Sequence, residues 1–137
     1  MRSAIVAVLQ ADATLTGLLT GGIYDAGVVG EISRVTTPAA FDEHSEVLPC
    51  ALVKLASEAP DGPFPTASVL GVDLYLYQRA GYGSIDAAVA RIFVLLHRQR
   101  VGNGVWQVTH AGDLRDLRDE ALGCALILSR FQVTRLR

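Results

Sequence analysis

Residues 69–100 read VLGVDLYLYQRAGYGSIDAAVARIFVLLHRQR, and no other stretch limits the possible folds as tightly. Leu70, Val72, Leu74 and Leu76 alternate with Gly71, Asp73, Tyr75 and Tyr77. Side chains on a strand alternate between faces, so the first set belongs to a buried face and the second to a wetter one. A glycine-rich turn follows. Ile85, Ala88, Val89, Ile92 and Leu96 then recur at helical spacing. The pattern predicts a strand over 67–78 and a helix over 84–100. Ser84 is the expected N-cap and Asp86 sits in the first turn. Arg98 and Arg100 fall at the end where positive charge suits the helix dipole. A strand followed by an amphipathic helix is a scaffold and carries no chemistry of its own.

The flanking sequence supplies the partners such a scaffold needs. A helix is expected over 3–10, capped by Ser3, with Ile5, Val8 and Leu9 as its apolar stripe. Asp12 is placed to cap a second short helical turn, which Gly21-Gly22 ends before an Ile23-Tyr24 strand. Residues 25–47 show little periodicity and read as a long ordered loop, with a short strand near Ile32 to Val35. LPCALVKLASE at 48–58 alternates like a strand. APDGPFP at 59–65 carries three prolines, which cannot donate to a sheet ladder, so it is a turn or projecting loop. Gly102-Asn103-Gly104 closes the long helix. GVWQVTHA at 104–111 reads as a strand, DLRDLRDE at 113–120 as a charged turn, and ALGCALILSRFQV at 121–133 as the last strand. The expected fold is α+β: a single mixed, mostly antiparallel β-sheet with one main helix and an N-terminal helix packed on one face. Residues 1–137 are expected to form one domain.

Half of the residues are hydrophobic and 19% are charged, a balance that argues for a packed core and against disorder. A surplus of apolar residues in a small chain also suits burial against copies of itself. The net charge of −2 gives no electrostatic case for wrapping nucleic acid. Eleven of the twelve basic residues are Arg, whose planar fork bonds carboxylates bidentately at interfaces. Cys50 and Cys124 lie in apolar runs with no CxxC spacing, which reads as buried free thiols. No run approaches the ~20 apolar residues that a bilayer-crossing helix needs. Gln10 and Asp12 cut short the faint leader-like run after Arg2, so export is not expected.

Candidate chemistry is sparse. His44, His97 and His110 show no HxxxH, HxH or HExxH spacing, so no metal is expected. GYGS at 81–84 lacks the P-loop and dinucleotide patterns, and GxSxG is absent. Neither a cofactor nor catalysis is expected. Asp113, Arg115, Asp116, Arg118 and Asp119 interleave opposite signs. Such a run is either a solvated turn or a set of salt bridges between copies. Were the chain an enzyme or a ligand-binding domain, His110, Asp113 and Tyr77 would be the residues to examine.

Four stretches together carry a resemblance: TLTGLLTGGIYD at 14–25, VDLYLY at 72–77, SIDAAVARIFVLLH at 84–97 and LSRFQVTRLR at 128–137. With these the chain resembles the tail terminator, or tail completion, proteins of long-tailed bacteriophages and gene transfer agents. Residues 26–47 fit that pattern poorly. The resemblance implies a non-enzymatic virion protein, assembled in a bacterial cytoplasm. Its copies would close a ring, commonly a hexamer, at the head-proximal end of the tail tube. Its partners would be itself, the tail tube protein and a head-side connector or stopper protein. DNA would pass through the lumen without specific binding, and no membrane is involved. Another connector or stopper ring is the alternative within the same class. Candidate assembly contacts are Pro60, Asp61, Gly62, Pro63 and Phe64 of the proline-rich loop, with Asp113, Arg115, Asp116, Arg118 and Asp119 of the charged run. Phe93 and Leu95 make the long helix more apolar than one buried face requires.

Overall fold

A computed structural model describes residues 1–60 and 68–135 of the chain. It contains four α-helices: α1 (Arg2–Gln10), α2 (Ala13–Leu18), α3 (Ala26–Val29) and α4 (Gly83–Leu96). Six strands join them: β1 (Gly22–Asp25), β2 (Cys50–Pro60), β3 (Ser68–Gln78), β4 (Gln99–Val101), β5 (Trp106–Asp119) and β6 (Cys124–Arg135). They form one curled mixed sheet in the order β1-β2-β3-β6-β5-β4, an α+β architecture as expected. Only β1 runs parallel to its neighbour, β2; every other pairing is antiparallel.

The alternation in β3 does what its period demands. Val72, Leu74 and Leu76 are fully buried on one face, against Ile5 and Leu9 of α1, Leu15 of α2, and Ile85, Ala88 and Ile92 of α4. Each large aliphatic side chain buried this way stabilises the fold by about 1.5–3 kcal/mol. The opposite face is drier than a two-layer fold requires. Residues 26–47 fold over it, and Ile32, Ala40 and Val47 pack on Cys50, Leu52, Tyr77 and Cys124 in a second core. This segment is mostly the expected ordered loop, but without the strand at 32–35. It carries α3, a 3-10 turn at Pro38–Ala40 and a single bridge between Phe41 and Val47. Burial within the second core pushes the Cys50 thiol up to about 12 and Cys124 to about 11, so both are inert as nucleophiles.

Three helix ends differ from the sequence expectation. Ser3 lies inside α1, whose N-cap is Met1. Ser84 does not cap α4; its N–H and that of Ile85 both donate to the side-chain oxygen of Gln78, at 3.0 and 3.2 Å. The helix also stops at Leu96 instead of 100. Arg98 adopts a left-handed φ of 60°, and Arg100 already belongs to β4. Asp12 does cap α2, accepting the Leu15 N–H at 2.9 Å. The β4–β5 hairpin turns through Gly102, Asn103 and Gly104, all at positive φ, where residues other than Gly and Asn are strained.

Candidate assembly surface

The largest departure from the sequence reading falls on the charged run. Asp113, Arg115, Asp116, Arg118 and Asp119 are not in a turn; they belong to β5, which pairs with β6 as far as Asp119↔Cys124. Two bulges make this possible, one between His110 and Gly112 and one between Leu114 and Leu117. Asp116 sits in the second with φ 57°, the left-handed backbone that Asp tolerates better than most residues. Beyond Val108 no β4 residue covers β5, so 109–119 form an outer edge of the sheet.

The nominated charges divide into engaged and exposed groups. Asp113 is held inside the chain: His110 Nε2 lies 2.9 Å from its Oδ1, and the Ser129 hydroxyl donates to the same oxygen at 2.6 Å. Burial works to raise the Asp113 pKa, but these two hydrogen bonds outweigh it and hold the carboxyl below the usual carboxylate range. Arg115 donates to Asp86 of α4 at 2.6 Å and lies 3.5 Å from Asp113. Asp119 accepts the Leu122 N–H at 2.8 Å and shapes the β5–β6 turn. Asp116 and Arg118 are exposed and make no ion pair among the described residues. Pro60 ends β2, while Asp61, Gly62, Pro63 and Phe64 lie outside the described residues.

His110, Asp113 and Ser129 combine the residue types of a hydrolase site in the wrong order. The carboxylate stands between the imidazole and the hydroxyl, so the Ser129 proton is directed to Asp113 and the imidazole is not bonded to the hydroxyl. Ser129 is also buried. Phe93 and Phe131 flank the His110 ring. Tyr77, the third residue nominated from sequence, is in the second core on the other face of the sheet. The arrangement ties α4 to β5 and β6; it does not activate a nucleophile. No group of three metal-ligating side chains converges among the described residues.

Apolar surface lies elsewhere. The outer face of α4 presents Ala87, Ala90, Phe93 (41% exposed) and Val94 (60%). Phe93 carries the expected surplus of apolarity, whereas Leu95 packs against the main core. A groove of about 350 Å³ runs between α1, β1 and α3, lined by Val6, Ile23, Val28 and Val29, with Val28 82% exposed. Sequence periodicity missed this groove, because α3 has a single turn and shows no helical repeat. A second hollow, of about 330 Å³, is lined by Asp73, Arg130, Gly71 and Ala56. Burial raises the Asp73 pKa, with Arg130, 3.8 Å away, opposing it.

No protein-family model and no curated protein matches this chain. Solved structures do share its fold. A chain from the virion of a native gene transfer agent particle superposes with a TM-score of 0.67 at 18% identity, over 98% of this chain and 93% of that one. The gp17 protein of bacteriophage SPP1 superposes with a TM-score of 0.58 at 9% identity, over 98% of this chain and 88% of that one.

Proposed function

We propose that this chain is a structural virion protein of a long-tailed phage or gene transfer agent. In this reading its copies form a ring, six in number, at the head-proximal end of the tail tube. The ring ends tube polymerisation and presents a surface to the head-side connector. Residues 1–137 act as one domain whose work is geometric; catalysis and cofactors have no part in it. The observation that carries the reading is the fold itself, shared over 98% of the chain with a component of a gene transfer agent virion.

The surface chemistry supports it. A closed ring requires two different, complementary patches on each subunit. The apolar face of α4 stands above β5 near one margin of the sheet, and the groove beside α3 adjoins β1 at the other. Asp116 and Arg118 lie on the same margin of the sheet as mixed-sign, exposed charges, which give register and partner choice. Asp113, Arg115 and Asp119 support that margin from inside the subunit. Pro60, Asp61, Gly62, Pro63 and Phe64, together with residues 26–47, are assigned to tube and connector contacts. A net charge of −2 suits a lumen that lets DNA pass.

Solution mass with negative-stain images tests ring formation. Adding the purified protein to headless tails and, separately, to tailless heads tests the position: a terminator binds the tails. Binding to heads alone favours a stopper or connector ring.

A further inference from the structure

α4 packs on β4 and β5, and α3 packs on β1 and β2, so the two apolar surfaces stand at the two edge strands of one sheet. On α4, Arg91 turns inward to Asp12, at 2.9 and 2.7 Å, and leaves Ala87, Ala90, Phe93 and Val94 as an uncharged ridge. The two alanines add little bulk, so Phe93 and Val94 project from it. Phe93 also stacks on the His97 ring, with centroids 4.6 Å apart, which holds it in place.

The other edge is concave. Asp25 caps α3 by accepting the Gly27 N–H at 2.8 Å, and no residue of this single turn is buried. Val28 and Val29 therefore stand as one wall of the groove, with Val6 of α1 and Ile23 of β1 completing it. α1 and α3 bracket β1, and Gln10 donates to the Ile23 carbonyl at 2.9 Å. This edge thus offers apolar side chains in place of a free strand.

We propose that the α4 ridge of one copy seats in the α1–β1–α3 groove of the next copy, and that this contact closes the ring. The charges favour a second copy as the occupant. Residues 87–112 carry Arg91, Arg98 and Arg100 and no acidic side chain. Residues 22–47 carry Asp25, Glu31, Asp42, Glu43 and Glu46 against Arg34. Opposite signs at the two edges steer one onto the other and disfavour either edge meeting its own kind. Such a head-to-tail contact leaves a free ridge and a free groove at the ends, so it propagates until rotation closes it. Rings also close through other surfaces, so the contact rests on the ring reading and can fail without it.

Sedimentation of the full chain and of two variants tests the pairing. Val28→Asp spoils the groove and Val94→Asp spoils the ridge, each at an exposed position. Each variant alone is expected to self-associate about tenfold or more weakly than the natural chain. An equimolar mixture is expected to form a dimer with one chain of each kind, because the intact ridge of Val28→Asp fits the intact groove of Val94→Asp. That dimer grows no further, since both of its free ends are spoiled. Val28→Gln and Val94→Gln carry the same mixing test should an Asp variant fail to fold. A variant that alone associates as the natural chain does, or a mixture no more associated than its parts, overturns the contact and leaves the ring reading standing. A natural chain that stays monomeric both in solution and on tail tubes overturns both.

Discussion

Asp12 accepts the Leu15 N–H on one side and the Arg91 guanidinium on the other, at 2.9 and 2.7 Å. The hydrogen bond from Arg91 comes first among the causes that hold its carboxyl down at about 2, with the Leu15 N–H next. Because the folded pKa is depressed, the stabilisation is present above the ordinary value of 3.8 and lost as pH falls through about 2. Asp12→Asn is expected to lower Tm at pH 7, and the difference from the natural chain should close between about pH 4 and pH 2. Thermal melts at several pH values check this, and a gap that stays constant contradicts it. Half of that site is legible in the sequence: an Asp before a short helical turn is a cap. The other half is not, because Arg91 lies 79 residues away and only tertiary packing joins them. Phe131 belongs to the same scale. It is 1% exposed, lies in the main core and meets the His110 ring, so Phe131→Ala should cost about 3–5 kcal/mol in denaturant unfolding.

Among the elements, α4 and β5 show where local pattern and final structure part. The helix was readable from its apolar spacing, but its cap was not, since a Gln six residues upstream replaces the serine at the expected place. Gln78→Ala should therefore destabilise by about 1 kcal/mol, while Ser84→Ala stays within about 0.5 kcal/mol. Chemical denaturation of both variants separates the two caps. β5 was readable only to Ala111. Beyond it Leu114 and Leu117 are three apart, a spacing that suggests a turn or a helix. Their partners Leu128 and Leu126 are two apart, and the second bulge absorbs the extra residue. A bulge breaks the period on which strand reading depends, so the charged run passes for a turn. The same bulges twist the edge and help keep it from indiscriminate pairing.

At the level of the whole molecule, the sheet and its main core follow from alternation in β2, β3 and β6, and from the helical stripes of α1 and α4. The second core was not legible, because residues 26–47 bury Ile32, Ala40 and Val47 without any regular repeat. Surface assembly is harder still to read, since nothing in spacing distinguishes an apolar face kept for a partner from one kept for the core. Val94 separates the two. It is 60% exposed on α4, so Val94→Asp should leave unfolding within about 0.5 kcal/mol of the natural chain while weakening self-association measured by sedimentation. Loss of folding together with assembly would place Val94 in the core instead. Closure of a ring on the end of a tail tube, as proposed, is tested by electron microscopy of headless tails, from the particle that carries this chain, after incubation with the purified protein. A ring of six subunits is expected on the head-proximal end of each tube. Bare tube ends beside a protein that stays monomeric in solution would contradict it.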